Sequence, residues 1–186
     1  MPSPFAHSAI LMLLDPAARR IGLRPEPRWR RVTLLALLLV ALTLPDIDFL
    51  IGLVFPGTAL GTHAAGMHSL AMGLVGALVL TGLGTWLCRV PPGRLLVLMT
   101  AAIGLHLLMD MVSWGGPGIA LFWPMTQTRV RLPLSVFYGV RHSRPGALHL
   151  HAVTLVSELL FVGLVWLVAK RLKTGTIEPP PETTSA

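Results

Sequence analysis

The chain has 186 residues, 53% of them hydrophobic and 12% charged, with 18 Gly, 16 Pro and a mean hydropathy of +0.71. Soluble domains carry roughly 25% charged residues, and so small a particle has no interior able to hide this much apolar surface, which excludes a water-soluble globule and points to a polytopic membrane protein. The formal charge of +7 gives no case for a nucleic-acid partner, since the basic residues cluster at the ends of apolar runs as topology signals, and the single cysteine, Cys88, excludes both a disulfide framework and a thiolate zinc site.

The first segment, Phe5 to Leu23, is apolar but interrupted by Asp15 and Pro16. It can cross, lie in the interface or re-enter. The crossing arrangement is the one adopted, with His7 near the outer surface and Arg19 and Arg20 inside. No basic residue precedes its apolar run, so it does not read as a secretory signal peptide. Four stretches follow at approximately 32–54, 66–88, 95–114 and 148–169. Each has the length of about 20 residues that a helix needs to cross a hydrocarbon core of about 30 Å.

Arg28, Arg30 and Arg31 precede the first of these, Arg89 follows the second, Arg94 precedes the third, and Lys170, Arg171 and Lys173 end the fourth. With Arg19, Arg20 and Arg24, 11 of the 15 basic residues fall on one side of an alternating bundle, leaving Arg129, Arg131, Arg141 and Arg144 on the other. The positive-inside rule then puts the C-terminus in the cytoplasm. The expected fold is an all-α, polytopic membrane bundle of four to five transmembrane helices. It forms one membrane-embedded domain over 1–173, and the Pro- and Thr-rich tail 174–186 is expected to be disordered. The 115–147 loop is too long for a simple connector.

Four of the eight acidic residues, Asp46, Asp48, Asp110 and Glu158, lie inside these apolar runs. Each costs at least about 2.5 kcal/mol at mid-bilayer unless paired or ligated. Counting rise from the basic flanks places all four in the outer half of the membrane, with His63, His68, His106, His149 and His151 in the same layer or at its outer margin. His106 and Asp110, four apart in HLLMD, share a helix face. In PDID, Pro45 removes a helical hydrogen bond just before Asp46 and Asp48. Gly66, between His63 and His68, permits an unusual turn. Taken singly, HxxxD also fits a His–Asp hydrogen bond between packed helices, PDID a helix-ending turn, and Trp114, Trp123 and Tyr138 an interfacial aromatic belt. Together they indicate a divalent metal, zinc first and manganese or iron next, held by imidazole and carboxylate.

The ordered set MPSPFAHS, LPDIDFLIG, HAAGMHS, HLLMD and LFWP resembles the bacterial inner-membrane, metal-dependent hydrolases of the YdjM-like family, also described as LexA-binding. The resemblance covers about residues 1 to 160. Members typically show HRGxTHS, so here both histidines and the serine are kept while the Arg and Thr are replaced. Many also carry an Asp shortly after HLLLD, where this chain reads MVSWGGPG. The resemblance implies an inner-membrane hydrolase with His7, Asp46, Asp48, His63, His68, His106 and Asp110 as the matching polar positions. The layout also looks like zinc-dependent phospholipase C and the related single-strand nucleases, a fold-level analogy that suggests phosphoester hydrolysis by a metal-activated water.

The expected activity is therefore cleavage of a lipid or lipid-linked phosphoester among membrane lipids. The seven residues above would bind metal, and Glu158 or His151 would act as general base or orienting group. Arg129, Arg131, Arg141 and Arg144 would attract anionic headgroups, while His142 reads as a solvated loop residue. Two other classes stand beside it: a metal-ion or proton transporter, which needs polar groups continuing toward the cytoplasm, and a non-catalytic membrane adaptor, which needs no convergence of His and Asp.

Overall fold

A computed structural model describes residues 2–58, 62–114, 116–138 and 148–174. The order is α1 (Pro4–Ala9), α2 (Leu11–Arg20), α3 (Arg28–Thr43), a 3-10 turn (Leu44–Ile47), α4 (Asp48–Val54), a 3-10 turn (Gly66–His68), α5 (Leu70–Cys88), α6 (Pro92–Met111), two short strands β1 (Ser113–Trp114) and β2 (Phe137–Tyr138), and α7 (Leu148–Thr174). Among the described residues four helical stretches are long and apolar enough to cross a membrane: Arg28–Val54, Leu70–Cys88, Pro92–Met111 and Leu150–Leu172. Arg141, His142 and Arg144, the side chain of His149, and the tail beyond 174 lie outside the described residues.

α6 is the central helix. Half of its span is buried, against 22% for α5 and α7, and His106 and Asp110 both lie on its buried face. The outward faces of α5 and α7, with Leu74, Leu78, Val79, Leu160 and Leu164 exposed, are what lipid would cover. α5 and α6 form a hairpin: Arg89 ends α5 in the left-handed conformation, and Pro92 opens α6 where its missing N–H costs nothing. Gly84 lets the two helices close up, since a Cβ there would stand 2.7 Å from Leu95 Cδ2.

The boundaries differ from the periodicity in two places. Residues 66–69 are a 3-10 turn and helix cap rather than helix, because the Ser69 hydroxyl accepts from the Met72 amide and donates to the Gly66 carbonyl. Beyond Met111 the chain leaves the helix for β1, which pairs in parallel with β2. The residues between fold back over this end of the bundle, with the Ala120 amide on Ala64 O (3.0 Å) and the Leu70 amide on Leu121 O (2.9 Å).

The first segment packs beside α7 and runs in the same direction. Ser3 meets Glu158 at one end and Arg20 Nη2 meets Leu172 O, 3.1 Å away, at the other. The basic ends gather together: the Cys88 thiol lies on Arg30 O, and Arg94 packs against Gly22. The acidic residues of the spans lie toward the opposite end.

Candidate metal centre

Each side chain of the polar cluster is placed by a local feature of its own element. α3 stops at Pro45, which has no N–H to give and whose ring displaces the carbonyl one turn back. The chain tightens into the 3-10 turn Leu44–Ile47 and restarts as α4 at Asp48. This break turns Asp46 toward α6 and Asp48 toward the turn that carries His63 and His68. It is also where the Leu42 carbonyl accepts a hydrogen bond from His106 Nδ1, 2.6 Å away. With the Nδ1 proton committed there, His106 Nε2 carries the lone pair.

His106 Nε2 stands 3.2 Å from Asp110 Oδ2 and 3.7 Å from Asp46 Oδ1. His68 Nε2 stands 3.2 Å from the same Asp110 oxygen and 3.5 Å from the same Asp46 oxygen. From the opposite wall α1 supplies His7, its ring stacked on that of His106 at 3.9 Å and its Nε2 3.5 Å from Asp110 Oδ1. Three imidazole nitrogens and two carboxylates from four stretches of chain thus face one small volume. His7, His68 and His106 are fully buried, and Asp110 is nearly so.

Asp48 has a different set of partners. It is fully buried and accepts from the Ala64 amide at 3.1 Å, while His63 Nδ1 lies 3.0 Å from Oδ1 and His68 Nδ1 2.9 Å from Oδ2. The His68 contact is bent away from good hydrogen-bond geometry, but an acceptor-only carboxylate beside Nδ1 still favours the proton on that nitrogen and leaves Nε2 for the cluster. The left-handed residue of this turn is Ala64, at φ +60°, not Gly66. A non-glycine there costs roughly 1–2 kcal/mol, and the bonds from its amide to Asp48 and to its carbonyl from Ala120 and Arg129 hold it in place.

The chemistry of the cluster fits a divalent metal. Both nitrogens of His7 and His68, His106 Nε2 and both oxygens of Asp110 are buried and make no well-directed hydrogen bond. Such groups cost about 1–3 kcal/mol apiece when left unsatisfied. Lone pairs on Nε2 and carboxylate oxygen at 3.2 Å repel unless a proton or a metal ion stands between them. Three triads, His7–His106–Asp110, Asp46–His68–His106 and Asp48–His63–His68, each bring ligand atoms within 4.8 Å of one another.

Of the positions singled out by sequence, His7, Asp46, Asp48, His63, His68, His106 and Asp110 are brought together. Glu158 is buried outside the cluster, where its carboxylate accepts from the Ser3 amide at 2.6 Å and the Ser3 hydroxyl at 2.5 Å. His151 is half-buried on α7 and belongs to none of the three triads. Arg129 reaches the turn after His63, donating to Ala64 O and Gly118 O. It helps line a 230 Å3 pocket with Gly57, Thr62, Ala65, Trp123 and Gln127.

The YdjM inner membrane protein family model matches residues 5–174, nearly the whole chain and every residue of the cluster. The chain belongs to the YdjM family. Within the curated relatives, the inner membrane protein YbcI of Escherichia coli (strain K12) is 28% identical over 172 residues, covering 88% of this chain and 92% of its own length. No solved structure matches. Membership of the YdjM family and the four apolar helices make this an inner-membrane, multi-pass protein.

Proposed function

We propose that the protein is a membrane-embedded, metal-dependent hydrolase that cleaves a phosphoester of a lipid or lipid-linked substrate. The observation that carries this reading is the convergence of the Nε2 atoms of His7, His68 and His106 with Asp46 and Asp110, all but Asp46 buried. Buried carboxylates without partners are costly in a membrane, and a divalent ion compensates all of them at once. These five residues would hold the metal, zinc first and manganese or iron next. Such an ion supplies a Lewis acid for phosphoryl oxygens and lowers the pKa of an attacking water.

The residues around it divide the remaining work. Asp48 orients His68, and on its other oxygen it orients His63. His63 is 54% exposed on its side chain while Asp48 is fully buried, so this pair resembles a carboxylate-backed imidazole able to take up a proton at the mouth of the site and release it to water. His151 is the second candidate for that proton transfer. Glu158 acts through Ser3, fixing the start of the helix that carries His7. Arg129, beside the mouth, meets an anionic headgroup.

A transporter reading requires polar groups continuing to the basic end of the bundle. Between the cluster and that end the described core of α3 and α6 includes Leu34, Leu37, Leu38, Leu95, Leu98 and Met99, and the polar groups buried beside it on α5 are the neutral hydroxyls of Thr81 and Thr85. That apolar plug favours a one-sided site. The experiment is release of water-soluble phosphate from inner-membrane phospholipids by the protein reconstituted in liposomes. We expect activity that a chelator removes, that zinc or manganese restores, and that Asp110→Asn lacks. Release that survives both chelation and Asp110→Asn contradicts the hydrolase, and metal flux into the same liposomes points to transport.

A further inference from the structure

At the other end of the bundle, α2, the turn after it, the start of α3 and the end of α7 enclose a cavity of about 750 Å3. That volume is within the usual range of ligand sites. Arg19, Arg20, Arg24 and Arg31 line it, against Asp15 and Glu26, so four positive charges face two negative ones. The carboxylate of Asp15 is already shared, by Arg19 Nη2 at 3.0 Å and by Arg31 Nη2 at 3.1 Å. Arg20 gives one N–H to the Leu172 carbonyl, which leaves most of its five donors for something else. Arg24 is exposed and forms no ion pair among the described residues.

Apart from the charged residues the lining is apolar, with Leu23 and Leu34 almost fully buried and Pro16, Ala18, Pro25 and Leu172 completing it. Gly22 makes this shape possible. Its φ of +77° reverses the chain after α2, and a Cβ there would stand 2.6 Å from Arg94 Nη1. The cavity is therefore lined by both guanidinium groups and hydrocarbon. It lies among the helix ends where 11 of the 15 basic residues gather, the cytoplasmic side by the positive-inside rule.

We propose that this cavity binds the phosphodiester headgroup of an anionic phospholipid of the cytoplasmic leaflet. Arg20 and Arg24 hold the phosphate, as guanidinium groups do in forked pairs, and Leu23 and Leu34 pack against the glycerol and the first methylenes. A soluble phosphate compound would meet the same arginines. The apolar lining and the position among helix ends at the membrane surface favour the lipid. Occupancy would tie α2 to α3 and α7, securing the base of the segment that carries His7 at its other end.

The test uses the full-length protein in detergent, titrated with phosphatidylglycerol, phosphatidylcholine or glycerol 3-phosphate and followed by native mass spectrometry. Phosphatidylglycerol should bind, phosphatidylcholine should not, and millimolar glycerol 3-phosphate should fail to compete. Arg20→Gln with Arg24→Gln should weaken phosphatidylglycerol about tenfold or more through loss of charge-assisted hydrogen bonds. Arg28→Gln, exposed and outside the cavity lining, should change it by less than about twofold, as a single screened charge does. Glu26→Gln removes a like charge facing the phosphate and should tighten binding, which keeps the test decisive if the double variant purifies poorly. Equal binding of both lipids, an unchanged affinity in the double variant, or no tightening in Glu26→Gln overturns the proposal. Glycerol 3-phosphate binding as tightly as phosphatidylglycerol marks a soluble-phosphate site and overturns the lipid assignment.

Discussion

The Nδ1 atom of His106 lies 2.6 Å from the carbonyl oxygen of Leu42, so a helix break in one span sets the tautomer of a histidine on another. The break exists because Pro45 cannot continue α3. Pro45→Ala allows the helix to run on through Asp46, which draws the carbonyls of this turn back along the helix axis and swings Asp46 away from His106 and Asp48 away from His63 and His68. The expected outcome is metal affinity lower by about 10-fold or more, the range for loss of an orienting hydrogen bond, with no loss of thermal stability. Zinc competition against a chelating dye, alongside a melting curve, separates the two effects. Unchanged affinity would show that the proline break does not position the ligands.

Asp48 and His68 give a second graded test. Asp48 takes three partners at once, His63, His68 and the Ala64 amide. Asp48→Asn keeps the shape but replaces one acceptor oxygen with a donor, so it should misorient His68 and lower metal affinity about 10–100-fold. His68→Ala removes the nitrogen itself and should abolish stoichiometric binding. A ranking in which Asp48→Asn is the more damaging would make Asp48 a direct ligand.

Much of this was legible in the sequence because the membrane makes polar residues conspicuous. Asp46, Asp48, His106 and Asp110 are expensive at their depth, and rise per residue alone put them in one layer. The bundle architecture follows from the same apolar runs. The assignment of Gly66 to the unusual turn was misplaced: sequence marks glycine as the permissive residue, yet the turn after His63 is held by three hydrogen bonds that only the folded chain supplies, and these impose the left-handed conformation on Ala64. The part played by the Leu42 carbonyl had no signal, since every residue has a carbonyl. Ser3 carried a weak one, standing before Pro4 at a helix start, but nothing in the sequence pairs it with Glu158, 155 residues away.

That long-range pair is itself testable. Ser3→Ala removes the hydroxyl from a buried carboxylate and should cost about 1–3 kcal/mol, as expected when a buried acceptor loses a partner. It should also loosen α1, so metal is released faster because His7 is carried there. Ser8→Ala is the control, since the Ser8 hydroxyl reaches only the Pro4 carbonyl on its own helix. Melting temperature and metal dissociation rate together check this. A Ser3→Ala protein indistinguishable from Ser8→Ala in both would leave Glu158 without a positioning role.

Orientation in the membrane decides which leaflet meets the site. With 11 of 15 basic residues at one end, fusions placed after Arg89 and after Lys173 should report the cytoplasm, and a fusion at Val130 the opposite side. The first segment does not affect the comparison. Cytoplasmic placement of Val130 would reverse the bundle and put Arg129 and the pocket it lines against the inner leaflet.

The central claim is that the buried histidines and aspartates hold a divalent metal, and the most direct measurement is the metal content of protein purified in detergent without chelator. Close to stoichiometric zinc or manganese is expected in the wild-type chain and in Glu182→Gln, which changes a carboxylate in the C-terminal segment, with a large loss in Asp110→Asn. Equal metal content in Asp110→Asn and Glu182→Gln, or a wild-type protein that stays metal-free after incubation with zinc and with manganese, would contradict it.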